Sequence, residues 1–313
     1  MTSPVYQLSD SYIERLAALD PGSATYMGIA GYDDKMTDFS PAGHDARSEL
    51  DSSTLKKLNT LDTSDPADRL AAGVFREALE MNEADYSANE HLRSIRIIAG
   101  DVDAARSVFD LMPTETASNW ETIADRLSQV PAAFDGMCES WKLGIERGAI
   151  AQRRQVLAVS EQLAVWAGLR GNSGFFDDFV SGAANVAGAP VERLKSLASQ
   201  ASQALARTSA FLERDYAPRA EDRNGVGPER HALARRRFMG MAVDARDAYE
   251  WGTNEVLRLD AELSRVAREI KPGATLNEVR HELDNDPAKA VHGEEKLRDW
   301  LQELMDDAMG FLI

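Results

Sequence analysis

Apolar residues recur at alternating intervals of three and four along most of this chain, the spacing of helices that each bury one face. The longest example runs from Asp244 to Ile270, where Ala245, Ala248, Gly252, Val256, Leu259, Leu263, Val266 and Ile270 share a stripe. Its residues are small at the start and bulky at the end, so a neighbouring helix is expected to approach closely near Gly252 and diverge later. Asp244 suits an N-cap, and Lys271-Pro272-Gly273 stops the helix. Ser118 with Glu121 and Thr275 with Glu278 read as capping boxes that open two further helices.

Asp65-Pro66 starts another helix, with Leu70, Val74, Phe75 and Leu79 as its expected buried face. Val156, Val159, Leu163 and Trp166 mark one more, and Leu194, Leu197, Ala201, Leu205, Thr208 and Phe211 a longer one. Strand signals are nearly absent: only "HLRSIRII", His91 to Ile98, has the β-branched content of an extended piece. Loops are expected over 21–41, 168–174, 182–190 and 217–228, where Gly, Pro, Asn and Asp gather. None is long enough to act as a flexible linker. The fold predicted is therefore all-α, one extended multi-helix assembly over 1–313, with 1–115 and 116–313 as possible sub-units. Near the end, Leu297, Leu301, Leu304, Ala308 and Phe311 continue a helical stripe, and such a stripe usually docks on something.

Composition narrows what such an assembly can do. A formal charge of −17 disfavours nucleic acid and anionic lipid as partners. The single Cys138 excludes an internal disulfide and any multi-thiolate metal centre. No signal peptide or membrane-spanning run is legible, so the expected location is cytoplasmic. A metal would have to come from five histidines, His44, His91, His231, His281 and His292, and no two have one-turn spacing with a carboxylate on the same face. In "RHELDNDPAKAVHGEE" the pair His281 and His292 is split by Asp286-Pro287, which reads better as one helix ending near Leu283 and Asp286 capping the next. The five are expected to stay scattered. Cys138 lies among carboxylates in a helical stretch and reads as a quiet thiol. The acid-rich "GYDDKMTDFS" lacks calcium-loop spacing and reads as a solvated turn.

Three residues stand as candidate cleft-lining groups. His231 shares three-four-three spacing with Ala234, Phe238 and Met241, an inward stripe that makes it either a polar tip in a cleft or a satisfied core histidine. Arg235, within the run Arg235 to Arg237, and Arg153, beside Arg154, can grip a carboxylate or phosphate, or pair with neighbouring acids. No catalytic residue and no metal ligand can be named.

The segment "DPGSATYMGIAGYDDKMTDFSPAGHDAR", Asp20 to Arg47, resembles the opening of the bacterial family catalogued as domain of unknown function 885. Phe109 to Pro131, "RRQV" from Arg153, "GPERHALARRRFMG" and "AYEWGTNEVLRLDAEL" agree in order and spacing. The resemblance implies a mostly helical architecture similar to the amino-terminal half of thermolysin-class zinc metallopeptidases. It implies zinc only for longer members, whose His-Glu-x-x-Pro-Gly-His-His segment has no counterpart here. It also makes His231 a departure, since an aromatic is usual at that position. The expected function is a cleft-wall domain of a metallopeptidase-like hydrolase, silent alone, with a peptide as possible substrate. The alternative is a non-enzymatic helical scaffold, monomeric or weakly dimeric, that associates through its C-terminal stripe.

Overall fold

The first four helices each begin where the sequence supplies a side-chain oxygen for orphan N–H groups. In this computed structural model, which describes residues 3–312, Ser3 caps α1 (Pro4–Leu19), Asp20 caps α2 (Pro21–Tyr26), Ser40 caps α3 (Pro41–Leu58) and Asp65 caps α4 (Pro66–Ser87). All four place proline in the first turn, where its missing N–H costs nothing. There follow α5 (Asp101–Ser107), α6 (Ala117–Leu127), α7 (Val130–Glu146), α8 (Arg153–Trp166), α9 (Phe175–Ser181) and α10 (Val191–Phe211). After a π turn at Leu212–Tyr216 come α11 (Pro228–Met239), α12 (Ala245–Ile270), α13 (Leu276–Asn285) and α14 (Glu294–Leu312). The all-α expectation holds: among the described residues the only β pairing is one isolated bridge, Gln152 to Glu221.

The chain divides into two compact units between Met241 and Ala242. The larger unit holds two apolar clusters. One is built on α5 to α10 around Phe109, Trp120, Phe134, Trp141, Phe176 and Tyr216. The other joins α1, α3 and α4 through Val5, Tyr12, Leu50, Leu58 and Leu79. In the smaller unit α12 packs on α13, burying Ala267 and Val279, and Lys271 Nζ bridges to Glu282 Oε2 at 2.6 Å.

Several local expectations are corrected. The "HLRSIRII" piece is no strand but a 3₁₀ turn, Glu90–Arg93, followed by loop. The capping box opening α6 is Thr116 with Asn119, two residues before Ser118 and Glu121. On α4 the buried residues are Ala72, Leu79 and Met81, while Leu70 and Val74 are 72% and 66% exposed, so the inward face is rotated from the predicted one. Asp286 caps only a turn, accepting from Ala288 N at 2.9 Å, and the next helix waits until Glu294. Gly252 meets nothing within 4 Å, so no close approach uses it. Thr275 with Glu278 and Asp244 cap α13 and α12 as predicted.

The acid-rich stretch after α2 is not simply solvated. It wraps the guanidinium of Arg126 on α6, whose Nε donates to the Lys35 carbonyl at 2.8 Å. Its Nη2 donates to Thr25 Oγ1 at 2.7 Å and to the Tyr32 carbonyl at 3.0 Å. Arg126 is fully buried, and burial lowers its pKa to about 10 despite Asp33 and Asp34 nearby. Gln129 completes the clamp, donating to the Asp34 carbonyl at 2.7 Å and accepting from Met36 N at 3.2 Å.

Candidate functional site

Where the two apolar clusters meet, two helices turn polar stripes toward one cleft. On α3, His44, Arg47, Ser48 and Asp51 follow a three-one-three spacing; on α4, Asn82, Asp85 and Tyr86 do the same over one turn. Glu90, His91, Ser94 and Arg96 come from the irregular segment between α4 and α5, and Asp101 from the first residue of α5. The cleft has a volume of about 460 Å³. Two non-glycine residues with left-handed backbone bracket the irregular segment, Asn89 at φ 56° and Ala99 at φ 54°. Such a conformation strains a residue that carries a Cβ, by about 1–2 kcal/mol. Asn89 is held there by Arg147 Nη1 (3.2 Å to Oδ1), and Ala99 N by Asp103 Oδ2 at 3.1 Å.

The imidazoles of His44 and His91 lie with ring centroids 4.9 Å apart, and His91 stacks on Tyr86 at 4.6 Å. Convergence of this pair corrects the expectation of scattered histidines: their separation in sequence hides a contact made by tertiary packing. Arg47 Nη2 lies 3.0 Å from His44 Nδ1. A guanidinium can only donate, so Nδ1 accepts and the ring proton sits on Nε2. That Nε2, like His91 Nδ1, is buried with no hydrogen-bond partner among the described residues. Burial, then Arg47 and His91, lowers His44 to a pKa of about 3; burial, then Arg147, lowers His91 to about 4. Both rings are therefore neutral near pH 7. Asp101 moves the other way, raised to about 6 by burial, with Arg47 and Arg96 opposing. Arg47 also donates to the Asp38 carbonyl at 2.8 Å and the Leu19 carbonyl at 3.3 Å, which fixes it in place. Tyr12 closes the floor, donating to Asp51 at 2.7 Å.

The rim is α11, which buries no residue. It is held to α4 and the adjoining turn by arginines: Arg230 doubly to Glu90 at 2.7 Å, Arg236 to Glu77 at 2.9 and 2.7 Å, and Arg237 to Asp85 at 2.5 Å. Arg230, Leu233, Ala234 and Arg237 line a second, charged cavity of about 310 Å³ beside the first. Of the run, Arg236 and Arg237 pair with acids, the plainer of the two readings open for it.

None of the sequence candidates lies in the cleft. The stripe of His231, Ala234, Phe238 and Met241 is not inward: His231 is exposed, Phe238 is 93% and Met241 59% exposed, and α11 ends before Met241. The reason is that α11 faces the body through its ion pairs, which rotates its apolar side outward. Arg235 is half-buried with Nε unpartnered. Arg153 pairs with Asp222 at 2.6 Å at the start of α8. The sequence offers His44 and His91 only among five scattered histidines; the signal for their site is the polar spacing on α3, on a face that also carries the buried Leu58. Cys138 is raised to about 11 by burial and faces Thr208 Oγ1 at 3.8 Å, in keeping with a quiet thiol.

A family profile described as "Bacterial protein of unknown function (DUF885)" matches residues 21–312. Two solved structures share the fold at 15% identity. One is described as a "putative lipoprotein" from Colwellia psychrerythraea, with a TM-score of 0.74 over 100% of this chain. The other is a "putative lipoprotein of unknown function" from Shewanella oneidensis, with a TM-score of 0.65 over 99%. This chain spans only 59% and 58% of their lengths. No curated protein matches significantly.

Two predictions follow from this geometry. The imidazoles of the unfolded chain take up protons below about pH 6.5, whereas His44 and His91 refuse them until about 3 and 4. Stability therefore falls as pH drops below 6.5, with Asp101, raised to about 6, offsetting part of the loss. Thermal melts of His44→Gln should decline less steeply than the parent between pH 6.5 and 4.5. For α11, salt should weaken ion pairs that no apolar contact backs. Amide exchange in Pro228–Met239 should accelerate severalfold at high NaCl while α10 stays unchanged.

Proposed function

This chain belongs to the bacterial family of unknown function DUF885, and we propose that its larger unit is the ligand-binding wall of a hydrolase that holds a peptide-like carboxylate. The observation that carries this is the cleft itself: two neutral imidazoles and three arginines converge on one opening, where Asp85 pairs with Arg237, Glu90 with Arg230 and Asp51 with Tyr12, leaving Arg47 and Arg96 beside Asp101, and two ring nitrogens are without protein partners. Buried polar atoms are nearly always paired, so an unpaired donor beside a cavity fits a site completed by a ligand. Arg96 is exposed and suits the grip on a carboxylate, with Arg47 and the His44 Nε2–H behind it. Asp101, with its raised pKa, can hold or release a proton close to neutrality.

The hydrolase part of the reading rests on the resemblance to metallopeptidases. The residues present do not fit zinc. His44 Nδ1 already accepts from a guanidinium, and among the described residues no three His, Cys, Asp or Glu side chains gather around a point. The part proposed for this unit is therefore ligand binding alone.

A short peptide with a free C-terminal carboxylate should bind the 313-residue chain in titration calorimetry. Arg96→Met, or amidation of that carboxylate, should each weaken binding roughly ten- to a hundredfold, the scale of a charged hydrogen bond. Indifference to both changes would remove the reading, and one zinc per purified chain would overturn the finding that these residues do not fit zinc.

A second reading, association through helix faces, is favoured by α14, on which Leu297, Leu301, Leu304, Met305 and Phe311 are all exposed. Under it the chain forms a concentration-dependent dimer by light scattering, and Leu301→Asp abolishes it.

A further inference from the structure

Across the segment that carries Arg96, the wall of the cleft has a second side. Asp101 lines both the polar cleft and a separate cavity of about 500 Å³. The character of that cavity is different. Met36, Phe39, Ile98, Ala104, Ala105 and Val108 form an apolar side to it, with Ser23 and Thr37 among its polar lining. Phe39, Ala105 and Val108 belong to the larger apolar cluster, so its floor is the packed core and not a mobile loop. Its mouth carries Tyr26 and Ile98, both exposed, and large apolar side chains on the lip of an apolar cavity are what a ligand would cover.

The wall shared by the two cavities is kept thin. Gly100 has no room for a side chain, since a Cβ there would come within 3.0 Å of the Arg96 carbonyl. Ala99 beside it tolerates left-handed backbone, and the strain is concentrated at the point where the two spaces adjoin. Ala104, one turn into α5, presents only a methyl group, leaving the cavity open.

We infer that this cavity receives the apolar side chain of a ligand whose carboxylate lies across Asp101 against Arg47 and Arg96. The ligand class is then an N-blocked apolar amino acid or a peptide ending in one. The inference rests on the carboxylate-binding reading of the polar cleft and adds the group that selects among carboxylates. Asp20 and Asp103 also line the cavity, but both are engaged within the protein: Asp20 accepts from Ser23 N at 3.1 Å and Thr37 Oγ1 at 2.5 Å, and Asp103 from Ala99 N.

Calorimetry of the full 313-residue chain with three probes separates the two claims. N-acetyl-phenylalanine should bind roughly tenfold or more tightly than N-acetyl-alanine, the discrimination that a hydrophobic pocket gives a larger apolar group. N-acetyl-phenylalaninamide should bind worse than the acid. Ala104→Phe, which fills the cavity, should bring the phenylalanine probe down to the alanine level and leave the alanine probe unchanged. If that variant does not fold, Ile98→Glu at the exposed mouth should lower phenylalanine binding selectively. Equal binding of the two acids, or an Ala104→Phe effect on both alike, overturns the side-chain pocket while leaving the carboxylate site standing. Failure of both acids to bind brings down the two readings together.

Discussion

A single buried guanidinium holds the two halves of the larger unit in register. Arg126 projects from α6 in the larger apolar cluster, yet its partners are Thr25 on α2 and Tyr32 and Lys35 in the stretch that leads from α2 to α3. Burying a charge costs several kcal/mol unless hydrogen bonds replace its water, and here three main-chain and hydroxyl oxygens do so for Nε and Nη2, leaving Nη1 without a partner among the described residues. The clamp fixes where the chain reaches Ser40, which caps α3, and so fixes the height at which His44 and Arg47 face the cleft. Gly136 on α7 secures the same junction: a Cβ there would lie 2.9 Å from Ser40 N. The geometry of the candidate site is therefore set by residues that never touch it.

The site exploits the seam this arrangement creates. Two apolar clusters cannot merge where α3 and α4 carry polar stripes, and the gap between them fills with groups that satisfy one another only in part. Tyr12 with Asp51, and Arg47 with two carbonyls, make finished pairs. His44 Nε2 and His91 Nδ1 do not. Trp120 Nε1 and Trp141 Nε1 in the packed core are unpartnered too, so it is the place of the two imidazoles beside a cleft that supports the functional reading. On the rim, α11 is attached by charge and not by burial, so its hold is the part of the unit most open to screening.

Helix existence, caps and stops were legible because they depend on neighbours in sequence: Asp65-Pro66, Asp244 and Thr275 with Glu278 each cap the predicted helix. Faces were less so. Leu70, Val74 and Phe238 sit on well-formed helices, but which side turns inward is decided by partners far along the chain. On α11 ion pairs outweighed the apolar stripe. "HLRSIRII" shows the same limit, since its β-branched residues found no partner strand. The candidate site was the least readable element, because its contacts, such as His44 with His91 and Arg126 with Lys35, span long sequence separations. The polar spacing on α3 was present in the sequence but has two meanings, a solvated face or a lined cleft. Only packing distinguishes them.

The pair of left-handed residues at Asn89 and Ala99 gives the stretch between them a particular independence. Apart from Glu90, which Arg230 holds, its ends are pinned by backbone conformation and by Arg147 and Asp103, not by the identity of His91, Ser94 or Arg96. Those side chains thus sit on an insert whose contents can be exchanged while its anchors stay put. Homologous chains could retune what the cleft accepts by rewriting a few letters here, leaving both cores and their shared clamp untouched.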